Sequence, residues 1–150
     1  MRDELLGAFD TGVVTALREM AGVEAVHRGP ADATADVAVA LRLDIGAGWW
    51  AVLALPSATA TALARRVLAG VADEPDDAMI RDCAAEVLNV TAGQAKTLLY
   101  GTPHHFTFAT PTTPPAGTAG AAIGFDSECG VFSLRLLPAA AGAPATCSGA

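Results

Sequence analysis

Glu86 and Asn89 stand three residues apart, with Gly93 one helical turn further on, inside a stretch that runs from Asp76 to Tyr100. On a helix, residues i and i+3 project side by side. The pair would therefore present an acceptor-only carboxylate next to an amide that both donates and accepts hydrogen bonds. Asn and Gly are poor helix-interior residues, and neither helps to bury an apolar face. Something other than helix stability keeps them there. Gly93 leaves no side chain in the way of an approaching surface.

The element that must carry them is legible at both ends. Asp76 after Pro75 offers a capping carboxylate, Asp77 suits the positive end of the helix dipole, and Gly101 followed by Pro103 is a stop signal. At about 100° per residue, Ile80, Ala84, Val87, Thr91, Ala95 and Leu98 gather on one side and are expected in the core. Asp82, Glu86, Asn89, Gly93 and Lys96 fall within a narrow arc on the other, expected to face water or a partner. From the residues alone, that arc reads first as a solvated helix face.

The rest of the chain supplies a frame. Leu5, Leu6, Phe9, Val13, Val14, Leu17 and Met20 recur at threes and fours and predict a helix over Asp3–Ala21, closed by Gly22. A strand is expected at Val23–His27, then a turn at Gly29 and Pro30 and a polar stretch to Ala35. Asp36–Leu43 alternates as a strand. The loop Asp44–Gly48 then leads into a strand over Trp49–Leu55, which sends Trp49 and Trp50 to opposite faces of a sheet.

Pro56 and Ser57 open a helix over Ala58–Ala69, anchored by Leu63, Val67 and Leu68 and stopped by Gly70. Asp73–Asp77 is an acidic linker. After the long helix, Phe106–Ala109 reads as a strand and Pro111–Gly120 as a loop. Ala121–Phe125 and Val131–Leu137 form a last hairpin around a turn at Asp126–Gly130, where Glu128 and Cys129 are expected to be exposed. Pro138–Ala150 has no periodicity and reads as a disordered tail, which leaves residues 1–137 as one domain. The sum is an α/β or α+β domain, long helices packed on a mostly antiparallel sheet.

Composition narrows the function classes. The net charge of −7 leaves no basic stripe for nucleic acid or anionic membrane, and apolar residues, 52% of the chain, occur in runs too short to span a bilayer. Met-Arg-Asp-Glu does not open a signal peptide, so a cytoplasmic protein is expected. Three cysteines, Cys83, Cys129 and Cys147, at unrelated spacings do not suggest a disulfide framework or a metal site. Cys83 is expected in or beside the core. His104 and His105 lack a third ligand at suitable spacing and read as loop histidines.

The stretch Glu86-Val-Leu-Asn89-Val-Thr-Ala-Gly93-Gln-Ala95-Lys96-Thr97 resembles the signature helix of the CheX, CheC and FliY chemotaxis phosphatases, CheX most of all. Phe9 in the first helix, the segment Trp49–Pro56, the helix ending near Leu68 and Gly70, and Phe106-Thr-Phe-Ala-Thr-Pro111-Thr extend the likeness to about Leu137. The resemblance implies hydrolysis of the phosphoryl-aspartate on a CheY-like response regulator. Asn89 would orient the attacking water and Glu86 would pair with the regulator's active-site lysine, while Asp82, Gly93 and Lys96 would contact the partner. It also implies no cofactor of its own, Mg²⁺ being supplied by the response regulator, and a homodimer joined through sheet edges.

The match has departures. The first helix holds no second Glu-x-x-Asn, so one active surface is expected, as in CheX. Asp82 stands where the fuller CheC-type pattern can begin, but Pro111 falls one residue early and Gln94 replaces an asparagine. A noncatalytic module that docks a response regulator or another signalling protein is the competing reading.

Overall fold

The computed structural model describes residues 2–32, 35–117 and 121–139. Among these residues, three helices, α1 (Arg2–Ala21), α2 (Ser57–Val67) and α3 (Asp77–Leu98), accompany six strands: β1 (Ala25–Asp32), β2 (Val37–Asp44), β3 (Trp49–Leu55), β4 (Thr107–Phe108), β5 (Ala121–Ser127) and β6 (Phe132–Pro138). The strands form one sheet in the order β1-β5-β6-β3-β2-β4, and every pairing is antiparallel. The expected layering of helices on a mostly antiparallel sheet is what forms.

Alternation along the strands divides the sheet's faces. Val39, Leu41 and Leu43 of β2, Leu53 and Leu55 of β3, Phe125 of β5, and Leu134 and Leu136 of β6 point into one core with Leu5, Phe9, Val13 and Leu17 of α1, Leu63 of α2, and Val87 and Leu88 of α3. Ala40, Val52 and Leu137 lie on the opposite face. The adjacent tryptophans part as expected, Trp49 against the main core and Trp50 against the small cluster behind the sheet.

Several boundaries differ from the sequence expectation, each for a local reason. The first strand does not turn at Gly29 and Pro30 but runs through them to Asp32, with a register shift between His27 and Gly29. An edge strand can do this, because a proline's missing N–H and a bulge leave no central ladder broken. β5 reaches Ser127, where Gly130 and Ser127 exchange backbone hydrogen bonds around Glu128 and Cys129. Glu128 is exposed, but Cys129 is half-buried. β6 continues through Pro138, which pairs with Trp49, one residue beyond the strand end expected at Leu137. Residues 140–150, most of the expected tail, and Cys147 with them, lie outside the described residues.

α1 and α3 cross at very short range. A Cβ built on Gly12 of α1 would stand 2.7 Å from the Thr91 carbonyl oxygen and 3.4 Å from the Ala95 nitrogen. Both are backbone atoms, which cannot swing aside. Gly12→Ala is therefore expected to destabilise the fold by about 1–2 kcal/mol, an overpacking cost of about 1–3 kcal/mol offset in part by alanine's better helix propensity. Urea unfolding checks this, and an unchanged midpoint would mean that the helices separate freely.

Candidate functional site

α3 is built as its sequence implies. The Asp76 carboxylate accepts a hydrogen bond of 2.8 Å from the Met79 N–H, capping one of the donors a helix start leaves open. At the other end Leu99 N–H bonds back to Ala95, and Gly101 takes a positive φ of 81°. Cys83, Ala84, Val87, Leu88, Thr91, Ala92 and Ala95 are buried. The expected core member Leu98 is instead 54% exposed, and Leu99 takes the inward position. Leu98 is the last residue of α3, and the neighbours that cover the earlier apolar positions do not reach it.

The arc opposite the core stays open. Asp82 and Glu86 are exposed, and Asn89, Gly93 and Lys96 are partly exposed. All five expected site residues therefore share one accessible strip along α3. Neither Asp82 nor Glu86 has an ion-pair partner, and the Asn89 amide makes no side-chain hydrogen bond, among the described residues. The amide and the carboxylate are thus uncommitted groups on a rigid helix. Lys96 is more constrained, because its ammonium lies 6.0 Å from the centre of the Phe108 ring in β4.

The two glycines of the helix pair separate packing from access. Gly12 is required by a backbone contact, whereas a Cβ on Gly93 would meet nothing within 4 Å. Nothing inside the described chain explains why a residue that weakens helices by up to about 1 kcal/mol occupies that place. Gly93→Ala is expected to raise stability by up to about 1 kcal/mol while weakening attachment of whatever covers the strip, measurable as opposite shifts in unfolding midpoint and binding constant.

Neighbouring groups have other roles. Gln94 leans towards α1, its amide 3.4 Å from the Glu19 carboxylate, and so ties two helices instead of joining the strip. Asp36, ahead of β2, accepts from the Ser57 N–H at 3.0 Å and caps α2 from a distance in sequence that no local pattern reveals. Cys83 is buried beside the strip. Burial first, and the Asp82 carboxylate second, push its thiol above the ordinary range. Among the described residues, no group of three or more His, Cys, Asp or Glu could hold a metal ion. His105 sits edge-on to Tyr100, and His104 Nδ1 is buried with no hydrogen-bond partner among the described residues.

Sequence reasoning missed one part of this surface. Asp82 and Glu86 also border a hollow between α2 and α3 whose remaining lining is Val67, Leu68, Met79 and Cys83. Its apolar walls come from two helices, so no single periodicity announces it.

A family model described as chemotaxis phosphatase CheX matches residues 50–124, a span that includes all of α3. No curated protein matches the sequence significantly. Solved structures share the fold. The chemotaxis protein CheX from Desulfovibrio desulfuricans has a TM-score of 0.75 at 22% identity, over 89% of this chain and 98% of that one. A CheC-like superfamily protein from Shewanella sp. PV-4 has a TM-score of 0.73 at 17% identity, over 91% and 97%. The CheX–CheY–BeF3–Mg²⁺ complex from Borrelia burgdorferi contributes a third match, with a TM-score of 0.67 at 18% identity over 87% and 95%.

Proposed function

Because the chain belongs to the CheX family of chemotaxis phosphatases, we propose that it hydrolyses the phosphoryl-aspartate of a CheY-like response regulator. The observation that carries this reading is the open strip of α3, where Glu86 and Asn89 project together with no partner for either among the described residues. The Borrelia relative is a complex of CheX with CheY, BeF3 and Mg²⁺, which supports a receiver as the occupant of this strip.

The reaction asks little of the enzyme beyond positioning. Water attacks phosphorus in line, the bond to the aspartyl oxygen breaks, and the carboxylate leaves with the electron pair as inorganic phosphate forms. An acyl phosphate already has a good leaving group, so holding the water in line is the main contribution left to make. Asn89 does this in the proposal, its amide oxygen accepting from the water and its N–H₂ free to donate. Glu86 pairs with the receiver's active-site lysine. Mg²⁺ is the receiver's own ion and offsets charge on the phosphoryl oxygens.

Asp82 and Gly93 lie against the receiver on either side of that pair, with Lys96 at the far end of the strip. The protein acts in the cytoplasm as a homodimer joined through sheet edges. β1 is one such edge, whereas β2 is covered at Leu43 and Asp44 by β4 and at Arg42 and Ala40 by Ala109 and Thr112. The domain extends over residues 1–137 or slightly beyond.

The test is the decay of a phosphorylated CheY-like receiver from the same organism, with Mg²⁺, in the presence and absence of this protein. Faster decay supports the phosphatase. Binding without faster decay would replace it with the noncatalytic docking module.

A further inference from the structure

We propose that the hollow between α2 and α3 is the anchoring subsite of the receiver interface, taking one apolar side chain that a basic residue flanks. This rests on the receiver reading above and adds a contact that Glu86 and Asn89 do not supply. The hollow measures about 280 Å³ and is lined by Val67, Leu68, Met79, Asp82, Cys83 and Glu86. Val67, Leu68 and Met79 remain only partly buried, so their apolar surface is still open to a partner. Cys83, held protonated by its surroundings, adds no charge to the lining.

Two features fix the occupant's chemistry. The first is continuity, because Glu86 belongs to both the strip and the hollow's rim. A receiver that sets its lysine against Glu86 must lay adjoining surface over the hollow. The second is charge. Asp82 and Glu86 put two carboxylates on the rim, whereas the nearby cations of α2 are already engaged, Arg65 with Glu74 at 3.5 Å and Arg66 with Glu128 at 3.2 Å. An apolar group beside a cation suits this setting, and an acidic segment does not.

The experiment measures equilibrium binding of a CheY-like receiver from the same organism, loaded with beryllofluoride and Mg²⁺, to the full chain and to Met79→Gln and Val67→Thr. Both changes nearly preserve shape. Met79 is the third residue after the Asp76 cap, where glutamine favours the helix. Each variant is expected to bind about 10-fold more weakly, as for removal of a buried apolar anchor. Their dephosphorylation rate at saturating protein should stay within about 2-fold of the parent, since neither residue reaches the reacting atoms.

Unchanged affinity in both variants would overturn the proposal. So would an equal loss in Leu98→Gln, which alters exposed apolar surface at the other end of α3, or a change of oligomeric state in place of receiver affinity. A parent protein that does not bind the receiver also overturns it. If the parent binds but does not speed phosphate loss, catalysis fails while the affinity comparison still decides the hollow's role.

Discussion

Asn89→Ala slows receiver dephosphorylation by about 10²-fold, the loss expected when one preorganised polar group no longer acts on the transition state. The fold should not suffer. Alanine is the better helix former, Asn89 is partly exposed, and its amide has no side-chain hydrogen bond to lose among the described residues. The drop should therefore fall on the rate at saturating protein and spare the concentration needed for half-saturation. Single-turnover decay at rising protein concentration separates the two. A variant as fast as the parent would mean that another group holds the water. A variant slow only at low concentration would make Asn89 a docking residue.

Glu86→Ala has the opposite signature. A carboxylate on an exposed helix costs the free protein little, but docking strips part of its water beside a cation. Removing it then leaves the partner's lysine unpaired at a cost of about 2–5 kcal/mol in binding. Glu86→Gln, which keeps the size and loses the charge, should recover only part of that. Titrations against the beryllofluoride-loaded receiver at two ionic strengths check both points, because a charge pair loses strength as salt rises, whereas an apolar contact does not. An affinity insensitive to Glu86 would remove the lysine pairing from the mechanism.

Much of this site could be read from the chain because its information is local. The cap at Asp76, the period of the apolar residues and the stop at Gly101 all act within a few residues, and they place Asp82, Glu86, Asn89, Gly93 and Lys96 on one strip without help from any tertiary contact. The errors arose where local rules yield to neighbours. Pro30 reads as a turn until β1 proves to be an edge strand. Leu98 reads as core until it proves to be the last residue of α3, past the neighbours that cover the earlier turns. Strand order was beyond reach, since β1 meets β5 across most of the chain, with Arg28 bonded to Asp126 at 2.8 Å. The hollow was equally hidden, its walls meeting only when α2 lies along α3.

The strand order also bears on how the molecule comes to exist. β6, last of the described strands in the chain, lies inside the sheet between β5 and β3, and the early strand β1 attaches only through β5. While the chain is being synthesised, the hydrogen-bonding edges of β1 and β3 that β5 and β6 later cover have no partners until nearly all of it has emerged. Such non-local pairing implies a high contact order and slow, late, cooperative folding, in contrast to a bundle that assembles helix by helix. α3 can form early as a helix. Its exposed strip is positioned mainly by α1, α2 and β2, all earlier in the chain, and the final hairpin closes the rest of the sheet.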